Sequence, residues 1–268
     1  MRIGIAGAAG RMGMALAREV AAAPGCVLGA ASEHEGHPAI GRDPGPLAGI
    51  GATGIAIGGD SGALFQAADV VLDFTLPDAT IDHAGRAAEH RTALVVGTTG
   101  LEAAHAAALR RAAEATAIVQ AANMSVGVNL LLDLARRVAS ILDPDHDVEI
   151  VEMHHRHKVD APSGTALALG RAVAEGRGLD LDDAARRGRD GITGARERGT
   201  IGFASLRGGD VVGDHAVVFA ADGERVELAH KASSRQVFSR GAVRAARWVH
   251  GKPPGLYSMV DVLGLAGR

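Results

Sequence analysis

The first half of the chain alternates short, continuous apolar runs with alanine-rich stretches that have helical periodicity. Runs such as residues 70–74 and 93–96 are apolar at nearly every position, which is typical of parallel strands buried on both faces. The pattern predicts strands at about residues 2–6, 27–32, 54–58, 69–74, 93–97 and 117–121, and helices at about 11–22, 61–67, 78–90 and 101–115. Repeated βαβ units of this kind predict a doubly wound, Rossmann-type α/β fold with a parallel sheet.

After Asn123 the pattern changes to one long amphipathic helix followed by closely spaced strands. The long helix is expected at about residues 126–142, where Asp143 and Pro144 end it. Strands are expected at about 147–153, 200–207, 211–220 and 224–231, with helices at about 163–176 and 236–249. Strands in such close succession predict a second domain of the α+β class that begins near residue 125.

The composition argues against several functional classes. The chain of 268 residues has a formal net charge of -3, whereas a nucleic-acid partner requires a basic face. No run of about 18 apolar residues is present, so no membrane partner is expected, and residues 1–10 are expected to form a buried strand rather than a signal peptide. The single cysteine, Cys26, excludes an internal disulfide framework, and a cytoplasmic location is the default expectation.

The segment Gly7-Ala-Ala-Gly-Arg-Met-Gly13 lies between a predicted strand and a predicted helix, where a glycine turn can hold a pyrophosphate. Gly7 permits the tight turn, Gly10 the close approach of backbone amides, and Gly13 the packing of the helix on the strand. Glu33 follows the second predicted strand, where an acid can bind the ribose hydroxyls of a dinucleotide. Because this glycine spacing is less specific than G-x-G-x-x-G, a structural turn with an incidental glutamate is the alternative.

Two further polar segments, residues 97–100 and 121–125, also follow predicted strands. They would fall at the carboxyl edge of the sheet, where ligands bind. Each could instead be an ordinary turn in which Thr99 or Ser125 caps a helix. Their shared edge with the glycine turn favours a ligand-binding role.

The segment Glu152-Met-His-His-Arg-His-Lys-Val-Asp-Ala-Pro-Ser-Gly-Thr165 concentrates titratable side chains between a predicted strand and a predicted helix. A metal site is one alternative, although the histidine spacing does not match common metal sites, and a structural or surface role is another. Acid and base catalysis with anion binding is the interpretation we favour, because histidine and lysine can exchange protons near neutral pH. Lys158 is one of only three lysines among the 28 lysines and arginines.

Ser163 is predicted to cap the helix that follows this segment and to leave backbone amides exposed for a carboxylate or phosphate. A nucleophilic role for Ser163 is disfavoured because no G-x-S-x-G elbow surrounds it. Six arginines between residues 186 and 207 form either a solvated surface loop or a basic rim that attracts an anionic substrate.

Segments 7–13, 97–100, 123–129, 152–166 and 231–235 together resemble the dihydrodipicolinate reductase family, and the resemblance covers essentially the whole chain. It implies reduction of 4-hydroxy-tetrahydrodipicolinate, a small cyclic dicarboxylate, by NADH or NADPH with loss of water, in lysine biosynthesis through diaminopimelate. It implies a dinucleotide-binding domain of residues 1–125 with 235–268. It also implies that residues 126–234 form a substrate-binding and oligomerisation domain, with a mixed open sheet that assembles a homotetramer.

The resemblance also implies the roles of individual residues. It makes His154 the acid/base group and Lys158 a proton donor, and no metal is expected. The substrate carboxylates would be held by His155, Gly164, Thr165 and Arg235. The cofactor contacts would be Gly7, Ala8, Ala9, Gly10, Arg11, Met12, Glu33, Gly97, Thr98, Thr99, Ala121, Ala122, Asn123 and Met124.

One position departs from the pattern of the family. Many members carry an arginine directly after the ribose-binding acid, and here that position is His34. An imidazole offers less to the extra phosphate of NADPH than a guanidinium does, and Glu33 repels that phosphate, although Arg11 could compensate. We therefore expect a preference for NADH or use of both cofactors. The alternatives are another two-domain NAD(P)-dependent dehydrogenase of amino-acid metabolism, a nucleotide-sensing protein and a metal-dependent hydrolase.

Overall fold

The computed structural model describes residues 1–265, and the chain divides into two compact units. The first unit contains Met1–Val126 and the chain from Gln236 onward, and the second contains Gly127–Arg235. In chain order the elements are β1 (Arg2–Ala6), α1 (Arg11–Ala22), β2 (Val27–Ser32), α2 (Pro44–Leu47), α3 (Ser61–Ala67), β3 (Val70–Asp73), α4 (Pro77–His90), β4 (Ala93–Val96), α5 (Ala103–Ala112), β5 (Ala117–Gln120), α6 (Val126–Ile141), β6 (Asp147–His154), α7 (Gly164–Arg177), α8 (Leu181–Ala184), β7 (Ala185–Arg186), β8 (Ile201–Arg207), β9 (Gly213–Ala221), β10 (Glu224–Ala232), α9 (Gln236–Val249), β11 (Gly255–Tyr257) and α10 (Met259–Leu263).

The first unit is built on a parallel sheet with the strand order β11-β5-β4-β3-β1-β2. Every residue of β3 and β4 is buried, as the continuous apolar runs predict. On one side of the sheet, α9 packs beside α1 and buries small side chains, including Ala242 and Ala246, against the core. The predicted doubly wound fold is confirmed, and it brings the ends of β1, β3, β4 and β5 to one carboxyl edge.

Two local predictions for this unit are wrong. Residues 54–58 do not form a strand, and only Gly58 makes a parallel bridge, to Ser32. Gly54 has a φ of +75°, a left-handed conformation that interrupts an extended strand. Thr99 does not cap α5, because that helix begins at Ala103 and its N-cap is Glu102.

The second unit contains a mixed sheet with the order β10-β9-β6-β8-β7, in which β6 is parallel to β8 and antiparallel to β9. One face of this sheet is buried by α7 and by α6, with Ile150, Val217 and Phe219 in the core. The predicted α+β arrangement with a mixed sheet is confirmed. None of the helices within residues 1–265 is long and apolar enough to cross a membrane.

Candidate active site

The glycine turn between β1 and α1 has the backbone that a phosphate-binding turn requires. Gly7 adopts a φ of +68°, and its carbonyl oxygen accepts a hydrogen bond from the amide of Gly10 at 3.1 Å. A Cβ atom at Gly13 would overlap the Gly7 carbonyl, so α1 can pack this closely on the turn only with glycine there. The roles predicted for Gly7 and Gly13 therefore have a direct steric cause.

The start of α1 is open to a ligand. Within the part of the chain that the structure describes, no side chain caps this helix at Gly10. The first amides of a helix have no partner inside the helix, so those of Arg11 and Met12 suit a bound phosphate. Glu33 lies beside the turn, where its Oε1 accepts a hydrogen bond from the amide of Ala9 at 2.9 Å. The pyrophosphate and ribose parts of a dinucleotide would thus meet donors and an acceptor of the expected kinds.

A cavity of about 470 Å³ opens at this carboxyl edge. Its lining includes the predicted residues Gly7, Gly10 and Glu33, together with His34. Its lining also includes residues that were not predicted from the sequence, among them Phe74, Thr75, Leu76 and His83. The first three directly follow β3, so the rule that ligands bind where parallel strands end could have found them. Another cavity, of about 480 Å³, lies where β4 and β5 begin and contains none of the predicted site residues.

Next to the carboxyl-edge cavity, the end of β3 carries the buried carboxylate of Asp73. Burial opposes ionisation of Asp73, but the neighbouring His83 and the hydroxyl groups of Thr75 and Thr80 outweigh it and lower the pKa. The hydroxyl oxygen of Thr80 also lies 3.0 Å from that of Thr98. The side chain of Thr98 therefore faces this buried network, and only its backbone is suited to contact a cofactor.

The remaining predicted cofactor residues lie directly after strands of the same sheet. A Cβ atom at Gly97 would overlap the ring of Phe74, so glycine is required at the end of β4. After β5, Asn123 accepts a hydrogen bond from the amide of Ser125 at 2.9 Å, and Met124 is buried. The full set after the two strands is Gly97, Thr98, Thr99, Ala121, Ala122, Asn123 and Met124.

In the second unit, the buried face of β6 changes from apolar to polar towards the end of the strand. Val148 and Ile150 lie in the core, whereas Glu152 and His154 continue the same face and are also buried. The antiparallel register places His215 of β9 directly opposite Glu152. Alternation along one strand thus brings titratable groups to the edge of the core.

Glu152 is the centre of this cluster. Its Oε2 lies 2.5 Å from Nδ1 of His154, and Arg207 donates to its two oxygens at 2.8 and 2.9 Å. Burial opposes ionisation of Glu152, but the hydrogen bonds from Arg207 and His154 outweigh it and lower the pKa. Because an ionised carboxylate only accepts hydrogen bonds, Nδ1 of His154 carries a proton, and Nε2 is left to exchange protons with a ligand.

Ser163 joins this cluster to the start of α7. Its Oγ accepts a hydrogen bond from the amide of Ala166 at 3.1 Å, which confirms the predicted N-cap. Its hydroxyl lies 3.0 Å from Nε2 of His215 and can donate to it. Burial and the neighbouring His154 lower the pKa of His215 to about 4, so this imidazole is neutral near pH 7.

Lys158 is held by an acid of its own loop. Its Nζ donates to both oxygens of Asp160, at 2.7 and 2.9 Å, and its side chain is 20% exposed. The pKa of His155 is lowered by burial and by the positive charge of Arg235. Arg235 is exposed, which leaves its guanidinium accessible to a ligand.

The first residues of α7, Gly164 and Thr165, lie directly after the cap. Gly164 is exposed and has open space around its Cα, whereas Thr165 is half-buried. The amides at the start of a helix favour a bound anion. The predicted carboxylate cradle is therefore sterically accessible at Gly164.

Most of the charge in the arginine-rich segment is neutralised within the second unit. Arg189 and Arg196 pair with Glu149, and Arg196 also pairs with Asp147. Arg186 pairs with Glu197. Arg207 differs from these residues because it reaches the buried Glu152. The segment is thus largely an ion-paired surface loop, and its last arginine belongs to the histidine cluster.

Within residues 1–265, the group of side chains that could hold a metal ion is Glu33, His34 and His37, and not the histidine segment. Nδ1 of His37 accepts a hydrogen bond from the amide of Ala39 at 3.1 Å, so the neutral ring carries its proton on Nε2. His37 then has no lone pair left for a metal, and Glu33 and His34 are fewer than the three protein ligands of a catalytic zinc site.

Comparison with known proteins identifies close relatives. A family model described as "Dihydrodipicolinate reductase, N-terminus" matches residues 1–124, and one described as "Dihydrodipicolinate reductase, C-terminus" matches residues 127–263. A 4-hydroxy-tetrahydrodipicolinate reductase of Rhodopseudomonas palustris is 55% identical over 266 residues, covering 99% of this chain and 98% of that protein. One of Ruegeria pomeroyi is 56% identical over 261 residues, covering 97% of each chain.

Two solved structures have a similar fold. A dipicolinate-bound dihydrodipicolinate reductase from a Paenisporosarcina species matches with a TM-score of 0.79 and 25% identity, covering 97% of this chain and 98% of that chain. A probable dehydrogenase from Thermotoga maritima matches with a TM-score of 0.60 and 12% identity, covering 99% and 93%. The second likeness is one of fold alone.

Proposed function

The chain belongs to the dihydrodipicolinate reductase family, and from this premise we propose which of its residues perform the reaction of the family. The reaction is the NAD(P)H-dependent reduction of 4-hydroxy-tetrahydrodipicolinate to tetrahydrodipicolinate with loss of water, in lysine biosynthesis. It consumes one hydride and one proton, and the substrate hydroxyl leaves as water. The protein must therefore bind a hydride donor, hold a dicarboxylate and deliver a proton.

The nicotinamide dinucleotide supplies the hydride when it is bound. The turn at Gly7 and Gly10 and the uncapped start of α1 would hold its pyrophosphate, and Glu33 would accept hydrogen bonds from its ribose. The absence of space for a Cβ atom at Gly13 supports this assignment, because it keeps the helix amides close to the turn. The predicted cofactor residues at the ends of β4 and β5 share the same edge of the sheet.

The preference for NADH or the use of both cofactors stays a proposal. His34 lines the cavity beside Glu33, where a member with arginine would offer a bidentate guanidinium to the extra phosphate of NADPH. His37, which lies beside Glu33 and His34, carries a proton on Nε2. It is a neutral donor and therefore weaker than a guanidinium. The carboxylate of Glu33 favours ribose hydroxyls over a phosphate at this position.

His154 is the proposed acid/base group. Its Nδ1 is held by Glu152, so its Nε2 is the atom suited to exchange a proton with the substrate. Lys158 is the proposed proton donor, and its three ammonium hydrogens allow it to keep Asp160 while it donates to a ligand. A proton from one of these groups allows the substrate hydroxyl to leave as water.

The substrate carboxylates are proposed to bind the start of α7 and the cationic side chain of Arg235. The amides of Gly164 and Thr165 follow the Ser163 cap and carry the partial positive charge of the helix. Burial and the positive charge of Arg235 lower the pKa of His155, and His155 is proposed to bind a carboxylate together with Arg235. Dipicolinate, the dicarboxylate to which the Paenisporosarcina enzyme is described as bound, has a related shape and can serve as a probe for this site.

We also propose that the second unit forms the contacts of a homotetramer. One face of its sheet carries Val151 and Met153, which are half-buried, and Leu206, which is 48% exposed. This face is opposite to the one that α7 covers, because side chains alternate along each strand. Exposed apolar side chains at this end of the face, beyond the ion-paired Glu149, favour burial against another copy of the chain. The cytoplasmic location stays a prediction.

The observation that carries the functional proposal is the hydrogen bond between Glu152 and His154 next to the capped start of α7. Steady-state oxidation of NADH and of NADPH tests it, with the substrate generated by a coupled synthase. Oxidation that depends on the substrate and is inhibited by dipicolinate supports the proposal. Binding of the dinucleotide without such oxidation contradicts it.

A further inference from the structure

We propose that Glu152 is a positioning residue that fixes the tautomer of His154 and ties this histidine to the start of α7. The proposal rests on the acid/base role of His154 given above. No role for Glu152 follows from the resemblance to the family. The residue is 1% exposed, and a carboxylate so deeply buried persists only where donors compensate for the loss of water.

Glu152 has such donors on both of its oxygens. Oε2 accepts from Nδ1 of His154 at 2.5 Å and from Nη1 of Arg207 at 2.8 Å. Oε1 accepts from Nη2 of Arg207 at 2.9 Å and from the amide of Ser163 at 3.2 Å. Three elements, β6, β8 and the N-cap of α7, therefore meet on one carboxylate.

The bidentate pair with Arg207 fixes the plane of the carboxylate, and the carboxylate in turn fixes the ring of His154. A carboxylate on Nδ1 keeps the proton there in the neutral ring and stabilises the charged ring when Nε2 takes up a second proton. The bond to Ser163 holds the residue that caps α7. The ring of His154 and the amides of Gly164 and Thr165 are thus held in fixed positions relative to each other within the second unit.

The charged and titratable groups around His154 come from several elements. Glu152 shares its strand, Arg207 lies at the end of β8, and the ring of His215 from β9 lies with its centroid 5.0 Å from that of His154. His155 and Lys158 follow in the loop after β6. The acids near His154 are Glu152 and Asp160, and Asp160 is paired with Lys158. Removal of the Glu152 charge therefore leaves His154 with mostly cationic or neutral neighbours.

The test is Glu152→Gln, which keeps the shape of the side chain and removes its charge. We expect kcat to fall by roughly 10²-fold, within the 10²- to 10⁴-fold that acid and base catalysis contributes, with KM changed only a few-fold. The limb of the pH profile that reports His154 should move to lower pH, because the charged ring loses its carboxylate partner. An unchanged pH profile together with an unchanged kcat would overturn the proposal.

The matched control is Glu149→Gln. Glu149 lies on the same strand and also pairs with arginines, but on the opposite face of the sheet. The Glu149→Gln substitution should lower the melting temperature of the protein without moving the pH profile of its activity. An equal shift of the pH profile in both variants would mean that lost ion pairs, and not the positioning of His154, cause the effect.

A double variant separates this proposal from the functional one. In a His154→Ala background, the addition of Glu152→Gln should change kcat less than twofold, because the residue acts through His154. Additive effects on kcat would overturn the positioning role while leaving His154 as the acid/base group. Full activity of His154→Ala alone would instead overturn the functional proposal.

A measurement on the wild type covers the case in which Glu152→Gln does not fold. The chemical shifts of ¹⁵N-labelled imidazole distinguish a protonated nitrogen from one with a lone pair. The neutral ring of His154 should carry its proton on Nδ1 and a lone pair on Nε2. The opposite tautomer would overturn the proposal.

Discussion

The Oγ atom of Ser163 lies 3.0 Å from Nε2 of His215, so the cap of α7 is bonded to the buried face of β9. Ser163 already accepts a hydrogen bond from the amide of Ala166, and its own proton is therefore free to go to the histidine. The lowered pKa of His215 keeps its imidazole neutral near pH 7, so its Nε2 can offer a lone pair to that proton. The start of the proposed anion-binding helix is thus hydrogen-bonded to a buried, uncharged histidine.

The pH dependence of stability tests this relationship. His215 titrates at about 4 in the folded protein and near 6.5 in the unfolded chain. Between these values the unfolded chain binds the extra proton, so the free energy of unfolding falls as the pH falls, by about 3 kcal/mol over the window. Urea unfolding of the wild type and of His215→Gln at pH 7 and pH 4.5 measures this. The variant should show a smaller difference than the wild type, whereas His157→Gln, at an exposed position, should keep the wild-type difference.

Gly13→Ala should disrupt the glycine turn. The new Cβ atom would overlap the carbonyl of Gly7, and the turn or α1 must shift. We expect a loss of several kcal/mol of stability, on the order of that for other overpacked sites, and weak binding of NADH. Gly85→Ala in α4 is the control, because its Cβ atom meets open space and helix propensity should stabilise it by roughly 0.4–1 kcal/mol. Equal stability of both variants would contradict the steric argument.

Lys158→Arg should keep the positive charge next to Asp160 and lose the transferable proton. We expect KM to stay within a few-fold of the wild type and kcat to fall by about 10²-fold or more. Steady-state kinetics measures both parameters. Lys252→Arg, in which the exposed lysine lies over the ring of Trp248, should be fully active. A Lys158→Arg enzyme with normal kcat would show that this lysine donates no proton.

His34→Arg should raise the use of NADPH. A guanidinium beside Glu33 would make charge-assisted hydrogen bonds to the extra phosphate, which contribute roughly 1.5–3 kcal/mol or about 10- to 100-fold in affinity. The ratio of kcat/KM for NADPH to that for NADH should rise accordingly, and the exposed His250→Arg should not change it. If the wild type already strongly prefers NADPH, the proposed role of His34 is wrong.

The sequence predicts those parts of the fold in which local pattern and tertiary environment agree. The apolar runs of β3 and β4 predict buried parallel strands because both faces of this sheet are covered. The cap at Ser163 is predictable because its hydrogen bond to Ala166 is local. Residues 54–58 have similar apolar content, but the left-handed Gly54 ends any strand there, and sequence pattern alone did not reveal that conformation.

The partners of the site are less accessible to sequence reasoning. Arg207 was one of six similar arginines, and only the parallel register of β6 with β8 places it opposite His154 and next to Glu152. His215 reaches Ser163 through the antiparallel register of β9, at a separation of 52 residues along the chain. Strand order and register determine both contacts, and no local pattern encodes them.

The most direct test of the account is the turnover of His154→Ala in an assay of NADH oxidation with synthase-generated substrate. The account predicts that kcat falls by about 10²- to 10⁴-fold, while the affinity for NADH is retained, because the proposed nucleotide-binding residues lie in the first unit. The exposed His157→Ala should keep wild-type kcat. Wild-type kcat in His154→Ala would contradict the claim that this histidine carries the proton chemistry.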